Sequence, residues 1–306
     1  MTQVEHLDVV CNPTAGRGRA AGVAGRVCDE LRDRGITSEL HTPPSREHTG
    51  RLLDQLAGSG RRTVVVGGDG LVHLAASAFA ASQTPLGLVP GGTGNDFAGA
   101  LGLPSEVPEA VDRALETTEP VDLLAVDGTA TRVATVATFG FSAAVNERAE
   151  RMRWPRGSSK YTAATLLESV ALTRHRVTLD IDGDVSNHDV TLVAIANTSR
   201  FGGGMEIAPT AVPFDGSFDV VLIGVVPRRT LLRVLPRAFS GRHIDHPAVT
   251  VMRGRRIAMD ADTKLSVRGD GEAIGESPLH LTTERGSLLV AGVERPRSES
   301  AVSEGP

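Results

Sequence analysis

Two glycine-rich stretches offer the plainest chemistry in this sequence: Val64-Val65-Val66-Gly67-Gly68-Asp69-Gly70, and Leu86-Gly87-Leu88-Val89-Pro90-Gly91-Gly92-Thr93-Gly94-Asn95-Asp96-Phe97. Each is an apolar run that ends in glycines and an acid. A buried parallel strand whose carboxyl end opens into a ligand loop has this pattern. Glycine lets backbone N–H groups turn toward one point and lets a bulky anion come close. Two such loops on successive strands suggest a cradle for a polyphosphate. Asp69 could hold Mg²⁺ directly or through water. Thr93 could donate to a phosphate, and a helix beginning there would aim its positive end at the same anion. The blander alternatives are a glycine turn at Gly67–Gly70 and, for Asp96, simple stabilisation of a helix start.

Other candidates stand elsewhere in the chain. Asn12-Pro13-Thr14-Ala15-Gly16-Arg17-Gly18 follows the first apolar run. Gly16 and Gly18 with Ala21 and Glu39 fit a lone dinucleotide fingerprint, but that reading leaves the two later loops unexplained. No Gly-x-x-x-x-Gly-Lys-[Ser/Thr] exists, which excludes a P-loop kinase. Arg268-Gly269-Asp270-Gly271-Glu272 reads first as a hairpin, with Glu272 a solvated strand residue. Asp215-Gly216 is another turn dipeptide. His73 reads as a packed or surface histidine, and His243-x-x-His246 lacks an obvious third metal ligand.

In order and spacing these segments resemble the diacylglycerol kinase family of lipid kinases, which includes sphingosine and ceramide kinases and bacterial relatives. The resemblance runs through Asn12-Pro13-Thr14-Ala15-Gly16, Gly67-Gly68-Asp69-Gly70 and Pro90-Gly91-Gly92-Thr93-Gly94-Asn95-Asp96-Phe97-Ala98. It continues through Gly140-Phe141-Ser142 and Phe214-Asp215-Gly216 to Gly269-Asp270-Gly271-Glu272. It implies an ATP- and Mg²⁺-dependent lipid kinase, with diacylglycerol as the first choice of acceptor. The nucleotide contacts it implies are Asn12, Pro13, Thr14, Ala15, Gly16, Thr42, Gly67, Gly68, Asp69, Gly70, Gly92 and Thr93. Asp69 and Asp96 would serve catalysis, and Glu272 would be the general base on the lipid hydroxyl. A structural Mg²⁺ would sit at Asp215, with Val212 and Ser217 supplying further oxygens. The sequence departs from the family pattern at Leu71 and His73, where Thr and Asn are usual. A sphingoid or ceramide kinase, an NAD-kinase-like enzyme and a non-catalytic nucleotide- or lipid-binding regulator are the rival readings.

Composition narrows the setting. The 306 residues are 40% hydrophobic but only 3% aromatic, so the core must rest on Val, Leu, Ile and Ala. The net charge of −5 provides no global field for nucleic acid. Cys11 and Cys28 make no disulfide framework, Met1 to Asp8 carries no signal-peptide pattern, and no run is long enough to span a bilayer. A cytoplasmic protein in peripheral contact with a membrane surface follows as the expectation, with a homodimer left open. Two basic stretches could make that contact. Arg148, Arg151, Arg153, Arg156 and Lys160 surround Met152 and Trp154. Arg228, Arg229, Arg233, Arg237 and Arg242 interleave with Leu231, Leu232, Leu235 and Phe239. The first is favoured, because Trp154-Pro155 continues a core helix poorly.

The elements that must position these residues are legible as a change of period. Up to about residue 120, short apolar runs alternate with helical stripes such as Val23, Val27 and Leu31, closed by Gly35. This predicts a doubly wound parallel sheet. Strands are expected at Leu7–Cys11, Ile36–Thr42, Thr63–Val66 and Leu86–Val89. Helices are expected at Leu71–Ala81 and Thr93–Leu101, and after Ser45. Later strands, at Val121–Val126, Thr131–Phe139, Val177–Ile181, Thr191–Ala196, Phe218–Ile223, Val249–Met252, Leu265–Val267 and Leu279–Leu281, predict a mainly antiparallel β-sandwich. Helical stretches interrupt them at Ala143–Met152, Tyr161–Thr173 and Arg229–Phe239. The expected division is an α/β nucleotide-binding domain at 1–122, a β-rich lipid-substrate domain at 123–294 and a flexible tail at 295–306.

Overall fold

The computed structural model describes residues 6–140 and 174–295. The helices expected at 143–152 and 161–173, the stretch around Trp154, Phe141-Ser142 and residues 296–306 lie outside them.

Strands β1 (His6–Cys11), β2 (Thr37–His41), β3 (Thr63–Gly67) and β4 (Leu86–Pro90) form a parallel sheet in the order β2-β1-β3-β4. Every residue of β3 is buried, because its two faces are both covered. On one face α1 (Arg19–Asp33) and α5 (Val107–Leu115) pack against Leu7, Val9, Val64 and Val66. On the other, α2 (Arg46–Ala57) and α3 (Asp69–Phe79) pack against Val10, Val65 and Leu88. Ser45 caps α2, its hydroxyl accepting the His48 N–H at 3.3 Å. This is the doubly wound arrangement the alternating pattern predicts.

Two helices start elsewhere than expected. Helix α3 begins at Asp69, two residues before Leu71. Helix α4 (Asp96–Ala100) begins three residues after Thr93, because Asn95 takes a left-handed conformation with φ 57°. Gly92 to Asn95 therefore stay in the loop.

The remaining strands are β5 (Thr118–Val126), β6 (Arg132–Val133), β7 (Val136–Gly140), β8 (His175–Ile181), β9 (Asp184–Ala196) and β10 (Phe218–Gly224). After α6 (Arg228–Val234) come β11 (Val249–Gly254), β12 (Arg256–Ala261), β13 (Ser266–Gly269), β14 (Glu272–Glu276) and β15 (Leu279–Ala291). They pair antiparallel around a core that includes Phe139, Leu179, Ile195, Phe218, Ile257 and Leu281. Strands β12 and β14 have no counterpart among the expected strands. Strand β15 runs ten residues past its expected end at Leu281 and ties the two parts together. Its first residues pair with β12, it runs antiparallel to β5 along much of its length, and Val290 pairs parallel with Leu86 of β4. The Asp270-Gly271 corner joining β13 to β14 has positive φ at both residues, 54° and 85°, the mark of a tight two-residue hairpin.

Candidate active site

A cavity of about 620 Å³ opens where the carboxyl ends of β1 to β4 face the β-rich part of the chain. The parallel sheet reverses its strand order between β1 and β3, and ligands of such sheets bind at that point. The cavity lining contains Glu272, Asp69 and Asp96. It also contains every expected nucleotide contact except Gly67: Asn12 to Gly16, Thr42, Gly68, Gly70, Gly92 and Thr93. Residues scattered over the first third of the sequence thus meet Glu272 in one place.

The amino-terminal wall is built from backbone. The loop after β3 and the loop after β4 touch so closely that a Cβ on Gly92 would lie 2.4 Å from the Gly68 Cα. Gly91 donates its N–H to the Gly67 carbonyl at 2.8 Å, and Gly92 donates to Asn95 Oδ1 at 2.9 Å. Asn12 folds the first loop, its Oδ1 accepting from both N–H and hydroxyl of Thr14. Gly67 is absent from the lining because it packs under Leu71, whose Cδ2 would stand 2.8 Å from a Cβ at that position.

The expected anion site at the start of α4 needs correction. The Asp69 carboxylate already occupies it, accepting from the N–H groups of Asn95 at 2.9 Å and Asp96 at 2.7 Å. It caps α4 from across the neighbouring loop. Asp96 in turn accepts from Gly203 at 2.8 Å and Gly204 at 2.7 Å, and so holds the Gly202–Gly204 loop of the opposite wall. Asp270 is a third strut. Its oxygens accept from the N–H groups of Ala134 and Thr135 and from the Thr135 hydroxyl, and one lies 2.8 Å from His73 Nδ1. His73 is 5% exposed, a packed histidine.

Glu272 differs from all three. Its side chain is 38% exposed, and Oε1 lies 3.0 Å from the Arg46 guanidinium across the cavity. Gly269–Glu272 forms the expected hairpin, and the tight turn at Asp270-Gly271 carries Glu272 to the cavity wall. Arg46 lines the cavity too, and nothing in the sequence around it pointed there. Its partner is 226 positions away.

The cleft is rich in negative charge. Burial, and after it the Asp96 and Asp270 carboxylates, push the Asp69 carboxyl up to about 6. Oxygen ligands crowded in this way suit a hard divalent cation, and Asp69 and Asp96 fit Mg²⁺ through their remaining lone pairs or through water. The second expected metal site fits poorly. Asp215 accepts from the N–H and hydroxyl of Ser217 at 3.0 and 2.6 Å and pairs with Arg253, while the Val212 carbonyl accepts from Phe214. A cation there would compete with a guanidinium. Asp122, which the sequence did not single out, fixes the same corner by accepting from Gly216 and Gly286, each at 2.7 Å.

Comparison with known proteins agrees with this architecture. Residues 6–126 match the diacylglycerol kinase catalytic domain, and residues 134–292 match the YegS C-terminal NAD kinase beta sandwich-like domain. A diacylglycerol kinase of Mycobacterium tuberculosis is 32% identical over 302 residues, covering 96% of each chain. One of Bacillus subtilis is 24% identical over 283 residues, covering 88% of this chain and 90% of that one. A crystal structure described as a diacylglycerol kinase from Bacillus anthracis superposes with a TM-score of 0.73 at 18% identity, covering 95% and 98% of the two chains. This chain belongs to the diacylglycerol kinase family of lipid kinases.

Proposed function

We propose that the chain transfers the γ-phosphoryl group of ATP to the hydroxyl of diacylglycerol, giving phosphatidic acid and ADP. One observation carries this reading: a single cavity sets two interlocked glycine loops against a half-exposed carboxylate, Glu272. The names of the relatives favour diacylglycerol over other lipid alcohols.

The glycine loops accommodate the triphosphate, with Thr93 as a hydroxyl donor and Asn12 to Gly16 and Thr42 along the nucleotide. Mg²⁺ bound with the nucleotide near Asp69 and Asp96 would neutralise charge on the β- and γ-phosphates. Glu272 takes the proton of the acceptor hydroxyl. The acceptor oxygen bonds to the γ-phosphorus as the bond to the β,γ-bridging oxygen breaks. Before nucleotide arrives, Arg46 is paired with Glu272. A triphosphate offers that guanidinium a more highly charged anion, and its transfer frees the base. The protein meets its acceptor from the cytoplasmic face of a membrane. Among the described residues no helix is long and apolar enough to cross one.

Incubation of the purified protein with γ-labelled ATP, Mg²⁺ and dispersed diacylglycerol, monoacylglycerol, sphingosine or ceramide, with NAD in parallel, tests the reading. Label in phosphatidic acid is the expected result. Label in another lipid phosphate moves the acceptor assignment, label in NADP rejects the lipid reading, and no transfer leaves a nucleotide- or lipid-binding regulator.

A further inference from the structure

The segment after β10 reverses the charge of the rest of the molecule. Between Val225 and Asp245 stand five arginines, Arg228, Arg229, Arg233, Arg237 and Arg242, against one acid, Asp245, in a chain of net charge −5. Arg229, Arg233, Arg237 and Arg242 are exposed, and none of the four has an ion-pair partner among the described residues. Elsewhere Arg34, Arg113, Arg132, Arg200 and Arg253 each face a carboxylate. Apolar surface accompanies the free charges: Phe239 is 54% exposed and Val225 51%.

The other side of the segment is anchored. Val234, Ala238 and His243 are buried, His243 Nε2 lies 3.0 Å from the Ile207 carbonyl, and Glu206 donates its N–H to the Ala238 carbonyl at 2.8 Å. These anchors follow directly on the Gly202–Gly204 loop, which lines the cavity and is held to Asp96. The basic surface is therefore one short loop from the cavity wall.

We propose that α6 and the two 3-10 turns after it, Leu235–Ser240 and Arg242–Asp245, form a docking surface for an anionic membrane. Phe239 enters the headgroup region and Arg229, Arg233, Arg237 and Arg242 face lipid phosphate. Free arginines around an exposed aromatic suit an interface that is charged outside and apolar beneath. The proposal takes its purpose from the lipid-kinase reading of the cavity, but detecting the surface needs no turnover.

The test is sedimentation of the full chain with phosphatidylcholine vesicles, with and without phosphatidylglycerol, at low and high salt. Wild type should sediment with the anionic vesicles only, and less at high salt. Replacing Arg229, Arg233 and Arg237 together with Gln should weaken that binding on the order of a hundredfold, at about fivefold for each arginine lost. Phe239→Ser should weaken it at both salt concentrations. All four side chains are exposed, so melting temperatures should match. If the triple variant does not fold, the single reversal Arg237→Glu replaces it, with a loss of about tenfold or more expected. Failure of wild type to bind anionic vesicles overturns the proposal. So does wild-type binding by the folded variant, or retention on RNA in place of vesicles. Turnover on diacylglycerol in uncharged detergent micelles separates the two readings: absence of transfer by wild type defeats the kinase assignment and leaves the docking result standing.

Discussion

The two walls of the cavity are made differently. The amino-terminal wall consists of loops locked to one another through backbone, with side chains such as Asp69 and Asn95 serving as internal fasteners. The β wall presents a half-exposed carboxylate on a hairpin whose corner residue, Asp270, is the fastener. Four acids line the cavity beside glycines and look alike in the sequence. Three accept from backbone N–H groups. The half-exposed Glu272 side chain instead pairs with the Arg46 guanidinium across the cavity. A carboxylate open to the cavity and a structural strut are thus distinguished by what already occupies their lone pairs.

The largest effect should come from Glu272→Gln. The amide keeps the size and accepts no proton, so turnover should fall roughly 10²–10⁴-fold with the KM for ATP little changed. Its stability should stay within about 0.5 kcal/mol of wild type, as for other exposed positions. Near-normal turnover would erase the contrast between Glu272 and the struts.

Two residues earlier the expectation reverses. Asp270→Ala strands the N–H groups of Ala134 and Thr135 and removes the buried partner of His73. Unpaired buried groups cost about 1–3 kcal/mol each, and several are involved. Urea unfolding should show a loss of roughly 3 kcal/mol or more. A midpoint close to wild type would mean that Asp270 is no strut.

This distinction was only partly open to sequence reasoning. The glycine loops were legible because each is contiguous: apolar strand, glycines and acid lie within a few residues, and the parallel fold follows from the same alternation. The hairpin at Asp270-Gly271 was legible for the same reason. Arg46 against Glu272 was not, because an ion pair between residues 226 positions apart leaves no local trace. The start of α4 was misplaced for a related reason. Its first N–H groups are capped by the Asp69 carboxylate at the start of α3, and its N-cap residue, Asn95, adopts a left-handed conformation that residue type alone does not force. The join of β15 to β4 is equally non-local: Leu279–Leu281 carried a strand signal, but the pairing of Val290 with Leu86 depends on the whole fold.

The interlocked amino-terminal wall can be probed through Gly92→Ala. The added methyl would meet the Gly68 Cα at 2.4 Å and Asn95 Oδ1 at 2.9 Å, so the two loops must separate. Calorimetry with a non-hydrolysable ATP analogue should show affinity reduced about tenfold or more, against a smaller change in lipid KM, since misplaced contacts of this kind cost about 1.4 kcal/mol per decade. Unaltered nucleotide affinity would show that the loops do not form the cradle.

The smallest expected effect lies where the walls meet. Arg46→Met removes the cation that faces Glu272 while keeping the long apolar stem. The pair is half-exposed, 52% at Arg46 and 38% at Glu272, so its own contribution to stability should be under about 1 kcal/mol. If the guanidinium passes from Glu272 to the triphosphate, its loss should raise the KM for ATP about three- to tenfold. A raised KM with the melting temperature unchanged supports an arginine that reaches the phosphate. An unmoved KM would leave Arg46 as a partner of Glu272 that never meets the nucleotide, and the two cavity walls would then be joined by that ion pair alone.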